Sequence, residues 1–519
     1  MRCASGIRGG VLSARRVVWA LLSVGSVVVL FAPRFPPFYD YPEWVLQGQI
    51  VRDLWTGGIG SGAPVAQLYA LLPVPVPNLV APVGIALLAC VLPIAAAGRV
   101  FLVLGVLGFG HGYGFLVRRL QRKPTVLEFT GFVWAFGYFL ERGYISYLFG
   151  LPIAFVGIGL VHQIAHRHGT RGRYALLWVV QVLAFLAHLL AWGVLAVTIG
   201  CYAVALFRSG RRGRALTLLA SAAPPVALFV WYTAAVRDAG HLALYSTMRD
   251  KLLALAETVQ FFPRLDPYPG SVPSFPVQVL LSLALIGIVG WNVGYRSARR
   301  ALRTPVACAA LFLAAAAVLD PVGNVNSLTK PDQRLLFPAI LLLLAAVPWK
   351  RARVRGTVLV AGVVAATLAL HGIALLSSNA QLQRAFDAVD ATVPADAAVA
   401  TLAVPADGGC APGAGPSIGI ASLKWFDVYR MLVHDEVRAD LQETSGVTLL
   451  FDPARGPGLT AVTAAASAAQ AAVGANRAAY VEVFACSADL IRVTSALAPR
   501  YAPVASGDGF TIFRSRRDR

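Results

Sequence analysis

Along most of the chain, apolar runs of roughly span length alternate with short clusters of Arg and Lys. A membrane-crossing helix needs about 20 largely apolar residues, within a usable range near 17–25. The first run, Val17 to Phe31, follows Arg2, Arg8, Arg15 and Arg16 and ends at Pro33. Its short apolar core and positive amino end resemble a secretory signal. No small-x-small cleavage site follows it, however, so it reads as an uncleaved first helix running from inside to outside. Further basic clusters stand at 118–123, 167–173, 208–214, 296–303 and 350–355. With all of them on the cytoplasmic side, the pattern predicts paired spans at 125–140 and 146–164, 174–190 and 191–207, 215–235 and 277–294, and 304–319 and 335–349. A last span near 357–376 delivers the remaining chain to the outside.

Two runs at 78–97 and 99–117 strain this parity. The first contains Pro77, Pro82 and Pro93, and proline removes a backbone donor and breaks helices. It is therefore expected to lie along the interface or to re-enter, which gives about 11 spans, or 13 if a third short segment also crosses. The outer loops are then long: 33–98, 237–276, 320–334 and the tail from 377. Val45 to Trp55 in the first loop reads as an amphipathic helix. The tail has strand-like stretches at Ala397–Ala403, Val447–Phe451, Ala479–Phe484 and Phe510–Phe513. Helical stretches stand at Ala380–Val389, Val428–Leu441 and Ser487–Ala496. The fold class predicted is an all-α polytopic membrane domain over 1–376, carrying a small extracytoplasmic α/β domain over 377–519.

Charge sharpens this picture. Of 519 residues only 13% are charged, with a mean hydropathy of +0.66 and a net charge of +20; a soluble domain is roughly a quarter charged. Residues 377–519 hold 12 basic and 14 acidic residues, leaving 33 basic against 11 acidic in the first 376. The excess therefore sits in the loops between spans and does not form a phosphate-tracking stripe, which argues against nucleic acid as a partner. Of the 11 acidic residues before residue 377, only Glu128 falls away from the proposed outer loops and their rims. Cys410 and Cys486 are the only cysteines in the outer domain and are candidates for a disulfide in an oxidising compartment.

Candidate chemistry clusters at the outer ends of spans. Asp40 and Glu43 lie three residues apart at the start of the first-loop helix. Such a pair near a low-dielectric rim suits general base catalysis, with one carboxylate orienting a substrate or cation; helix capping by Asp40 ahead of Pro42 is the competing reading. Glu141 and Arg142, bracketed by Tyr138, Tyr144 and Tyr147, read either as a site or as an ion pair within an aromatic belt. Lys330 and Arg334, flanking Pro-Asp332-Gln, suit a phosphate or are snorkelling residues at a span end. His188, before Trp192, reads as a base or ligand or as a packing histidine. His162 and His166 lie one helical turn apart on the inner face, with no acidic residue between them, and do not make a zinc motif.

Several short segments, in order, resemble the GT-C superfamily of membrane-embedded glycosyltransferases. They are Asp40-Tyr-Pro with its following helix, Pro77-Asn-Leu, Gly98-Arg-Val-Phe, Gly143-Tyr-Ile-Ser-Tyr-Leu-Phe-Gly150, Ala187-His188-Leu and Asp332-Gln-Arg-Leu-Leu-Phe-Pro338. The resemblance covers roughly residues 33–340. It implies a sugar donor linked to polyprenyl phosphate, a cell-envelope glycan or lipid as acceptor, the bilayer as partner, and a bacterial plasma membrane with a cytoplasmic amino terminus. It implies Asp40 as the base, Glu141 as the second acid with Glu43 nearby, and Arg334 with Lys330 on the phosphate, with Arg142, His188 and Asp332 as further substrate contacts. It names no cofactor beyond the lipid-linked donor, and no metal is indicated. One departure stands out: a His is expected shortly after Asp-Tyr-Pro, and Glu43-Trp44 is present instead. A transporter or flippase for a lipid-linked substrate and a non-catalytic scaffold in glycan assembly are the rival readings. Few charges fall at the bilayer midplane and no paired halves occur, which counts against transport.

Overall fold

The computed structural model describes residues 3–57, 71, 75–235, 242–258, 301–349, 354–393, 399–403, 480–484, 494–507 and 510–516, apart from 35, 39, 168, 326, 327 and 496. The structure is mostly helical. The helices are α1 (Cys3–Phe31), α2 (Tyr41–Thr56), α3 (Val80–Ala89), α4 (Ile94–Gln121), α5 (Gly131–Ala135), α6 (Tyr138–Glu141), α7 (Ile145–His166), α8 (Arg171–Ala187), α9 (Leu189–Arg208), α10 (Arg212–Ala220), α11 (Ala223–Ala235), α12 (Met248–Thr258), α13 (Pro305–Leu319), α14 (Pro331–Ala346) and α15 (Val354–Thr392). Among the described residues, five helical stretches are long and apolar enough to cross a membrane: Ile94–Gln121, Ile145–His166, Leu189–Arg208, Arg212–Ala234 and Gly356–Leu376. The expected span at 277–294 lies outside the described residues. Large apolar side chains stay exposed on outward faces, among them Val17, Leu21, Val24 and Val28 of α1 and Val358, Leu359 and Ile373 of α15. Apolar faces of this kind suit a lipid environment.

Two expectations are corrected. The stretch 125–140 is not one span: a 3-10 turn (Val126–Phe129) is followed by the short helices α5 and α6. Its side chains from Leu127 to Leu140 are nearly all buried against protein, so the run is apolar because it is packed rather than because it crosses lipid. The first-loop helix α2 is not amphipathic either. Apolar Val45, Leu46, Ile50 and Val51 are buried, and so are Glu43, Gln47, Gln49 and Asp53. Gly98 on α4 admits this helix, since an added Cβ would lie 2.5 Å from Val45 Cγ2 and 2.8 Å from the Tyr41 hydroxyl. Helix α15 continues unbroken past residue 376, and its apolar, span-length part is Gly356–Leu376, close to the last span expected near 357–376. The run at 78–97 is the ten-residue α3, a break at Cys90–Pro93, and the start of α4.

Glu128 is held by two arginines. Arg15 Nη2 donates to Glu128 Oε2 at 2.5 Å and Arg118 Nη1 at 3.3 Å. The Arg118 guanidinium also lies over Trp19, which stacks on His111 at 4.7 Å. This carboxylate, expected to stand apart from the other acidic residues, thus ties α1, α4 and the 3-10 turn together.

Among the described residues there are also two small sheets. In the first, β1 (Leu242–Leu244) pairs antiparallel with β2 (Val322–Val325), which pairs antiparallel with β3 (Leu328–Thr329). This sheet ties the loop before α12 to the segment that enters α14. In the second, β4 (Val399–Ala403) runs parallel to β5 (Tyr480–Phe484), and β7 (Phe510–Ser515) lies between β5 and β6 (Tyr501–Gly507), antiparallel to both. Three of these strands coincide with strand-like stretches of the sequence, whereas β6 is new. Strand β6 packs against α15. The helix expected at Ala380–Val389 is part of α15, whereas Val428–Leu441 and Val447–Phe451 lie outside the described residues.

Candidate functional site

Asp40 stands at the N-cap of α2, with Pro42 in the first turn, yet its side chain makes no capping hydrogen bond. The backbone places it. The Asp40 N–H donates to the Arg142 carbonyl at 3.2 Å, and Trp44 Nε1–H donates to the Gly143 carbonyl at 3.0 Å. Gly143 makes this docking possible. Its φ is +69°, and a Cβ there would sit 2.4 Å from the Asp40 nitrogen and 2.7 Å from that of Tyr41. Left-handed backbone and close approach both demand glycine. Trp44, one of two residues standing where a His was expected, is therefore a strut between α2 and the turn after α6. Glu43 is buried and accepts from Gln47 Nε2 at 3.3 Å. Glu141 is the last residue of α6, immediately before this turn.

From the same turn the chain enters α7, whose first residues build the cationic side of the site. Arg334 is buried, with its guanidinium over Tyr144 at 4.2 Å and over Tyr147 at 6.0 Å. The Tyr147 hydroxyl donates to the Arg334 carbonyl. Lys330 holds a left-handed backbone at φ +48° as the N-cap of α14, a strained conformation for a non-glycine residue. Its Nζ donates to the Tyr138 hydroxyl at 3.4 Å. Arg142 lies over the Tyr138 ring at 5.5 Å. The tyrosines expected to form an interfacial belt instead carry three cations on their faces.

His188 caps α9, and its Nδ1 accepts from the Leu190 N–H at 3.1 Å. Its Nε2 lies 2.9 Å from Arg334 Nη1. A neutral imidazole offers one acceptor nitrogen, while guanidinium only donates. The two contacts therefore set a donor against a donor at one nitrogen, and an anionic oxygen accepting from both groups relieves that conflict. The cap of α9 and the first turn of α14 meet here through His188 and Arg334. The arrangement is suited to holding a phosphate.

The structure joins Asp40 to Arg142 through the backbone, places Arg142 and Lys330 over the same Tyr138 ring, and brings Arg334 against His188; Glu141 adjoins the turn by sequence, and Glu43 meets Gln47. Asp332 faces elsewhere. It is fully buried and accepts from the Tyr245 hydroxyl at 3.1 Å. Burial pushes its carboxyl above the usual range, opposed by the Gln333 backbone N–H, the Tyr245 hydroxyl and the charge of Lys251. Tyr245 and Lys251 are contributions the sequence reading missed. The signal available was the amphipathic stretch Met248-Arg-Asp-Lys-Leu-Leu-Ala-Leu, a helix inside a supposed outer loop. Among the described residues no three His, Cys, Asp or Glu side chains gather as a metal site. Cys410 and Cys486 lie outside the described residues.

No family model matches the chain, and no curated protein or solved structure is detectably similar to it.

Proposed function

We propose that the protein is a membrane glycosyltransferase of the GT-C type. It moves a sugar from a polyprenyl-phosphate donor to a cell-envelope glycan or lipid acceptor at the outer face of a bacterial plasma membrane. About eleven spans, an inward amino terminus and an outward carboxyl-terminal domain belong to this reading. The observation that carries it is the junction at Gly143. On one side the turn holds the backbone of Asp40, and on the other it leads directly into the tyrosines that frame Arg334 and His188. A carboxylate and a phosphate-binding cation pair at one span end are what transfer from a lipid-held donor requires, because the lipid stays in the bilayer while its head reaches the aqueous rim.

In this mechanism Asp40 accepts the proton of the acceptor hydroxyl as the oxygen attacks the anomeric carbon. The bond from that carbon to the phosphate oxygen breaks, its electron pair leaves with the phosphate, and the configuration inverts. Arg334, His188 and Lys330 hold the phosphate as its charge grows. Glu141 serves as the second acid and Glu43 supports the base through the buried face of α2.

Exchange of Asp40→Asn in a stably inserted protein tests this. General base catalysis contributes about 10²–10⁴-fold, so transfer from a polyprenyl-phosphate sugar is expected to fall by that order. Undiminished transfer would remove Asp40 from the mechanism. Transfer activity lacking in the unaltered protein as well would favour the non-catalytic scaffold reading.

A further inference from the structure

The first turn of α14 presents two faces. Lys330 and Arg334 meet the tyrosines and His188, while Asp332 and Gln333 turn toward α12. On that second face Gln333 Nε2 donates to the Ala254 carbonyl of α12, and the Tyr245 hydroxyl donates to Asp332 Oδ1. Lys251 of α12 is 3% exposed, and its ammonium lies 6.0 Å from the Tyr245 ring centroid. Three buried polar atoms of this cluster make no hydrogen bond among the described residues: Lys251 Nζ, Asp332 Oδ2 and Gln333 Oε1. Lys251 and Asp332 also form no ion pair there, although the lysine's charge acts on the carboxyl.

Buried polar groups are nearly always satisfied, and leaving them bare is costly. The chemistry of the orphans specifies what satisfies them. One is a cationic donor and two are acceptors, so neither an anion nor a cation alone meets all three. A ligand with adjacent hydroxyl groups does. A hydroxyl donates to a carboxylate or amide oxygen and at the same time accepts from an ammonium. The Tyr245 ring supplies an apolar surface beside them. We propose that Lys251, Asp332, Gln333 and Tyr245 form a sugar subsite for the donor's glycosyl group, set one helical face away from the phosphate-binding Arg334 and Lys330. This inference deepens the transferase reading, and it states which side of α14 the sugar occupies relative to its phosphate. A lipid glycerol headgroup shares the vicinal hydroxyls, so the test separates the two.

The test uses the full chain in nanodiscs of phosphatidylcholine and methyl glycosides of glucose, galactose, mannose and arabinose, with glycerol alongside. Binding is read by saturation-transfer NMR. At least one glycoside is expected to bind in preference to glycerol, and Asp332→Asn and Gln333→Leu are each expected to weaken it at least tenfold. Tyr245→Phe, which removes one hydroxyl and keeps the ring, guards against a variant that fails to fold and is expected to weaken binding severalfold. Failure of every glycoside to bind, equal binding by glycerol, or variants indistinguishable from the unaltered protein would overturn the subsite. Bare polyprenyl phosphate, added separately, tests the other face. If glycosides bind as described but bare polyprenyl phosphate does not, the subsite stands and the transferase reading falls.

Discussion

Gly143 illustrates how much of this protein depends on single positions. Its positive φ and its contact with the backbone of Asp40 are separate constraints, and a methyl group violates both. Gly143→Ala is expected to cost about 1–3 kcal/mol of stability from the strained backbone alone, and more if α2 lifts off the turn. Its thermal midpoint in detergent measures this, and an unchanged midpoint would mean that α2 does not seat there. The sequence displayed this glycine within a recognisable segment but gave no indication of why it was needed. Trp44 was likewise visible as a departure, and only the hydrogen bond to Gly143 shows that it holds structure. Asp40, Glu141 and Arg334 stood out as candidates because ionisable groups close to membrane depth are costly. Lys251 was not, because a lysine in a loop usually points to water, and its burial depends on how α12 docks.

At the scale of elements, paired basic clusters and apolar runs located most of the helices correctly, since their periodicity is local. The breaks were harder to read. The stretch 125–140 is as apolar as a span, yet it packs as three short helical pieces. Burial inside protein and burial in lipid leave the same mark on composition. Conversely, α2 looks half-polar in sequence because Gln47, Gln49 and Asp53 are buried polar residues. The Glu128 cluster makes an element-level prediction. Glu128 is almost fully buried between Arg15 and Arg118. Removing one partner from a buried ion pair typically costs about 3–5 kcal/mol, and the partial exposure of both arginines reduces that figure. Glu128→Ala is therefore expected to destabilise by about 2–3 kcal/mol, read from unfolding in mixed micelles. A neutral result would show that α1 is held by its apolar contacts alone.

For the whole molecule, the charge pattern gave the membrane class and the proposed orientation, and the apolar helices agree with the membrane class. Reporter fusions test that orientation. Alkaline phosphatase joined after Ala235 or after Thr392 is expected to be active outside the membrane, whereas the same reporter after Gly210 is expected to be inactive. Activity at Gly210 would invert the map. What the sequence could not convey is the continuity of α15 through the proposed boundary, because helix formation carries no marker of where lipid ends.

That continuity has a mechanical consequence. Helix α15 has 39 residues, so it is about 58 Å long, nearly twice the roughly 30 Å of hydrocarbon it would cross. Its carboxyl half is braced where Arg34 Nη1 donates to Gln383 Oε1 at 3.3 Å and lies over Phe386. At its amino end, Gly356 approaches Val126 in the turn that carries Glu128. No hinge interrupts the rod between these points. It therefore works as a lever: a tilt of about 10° carries its far tip through about 10 Å, and β6 rides with it. A pull on that sheet is carried along the helix to its amino end, beside the turn that holds Glu128.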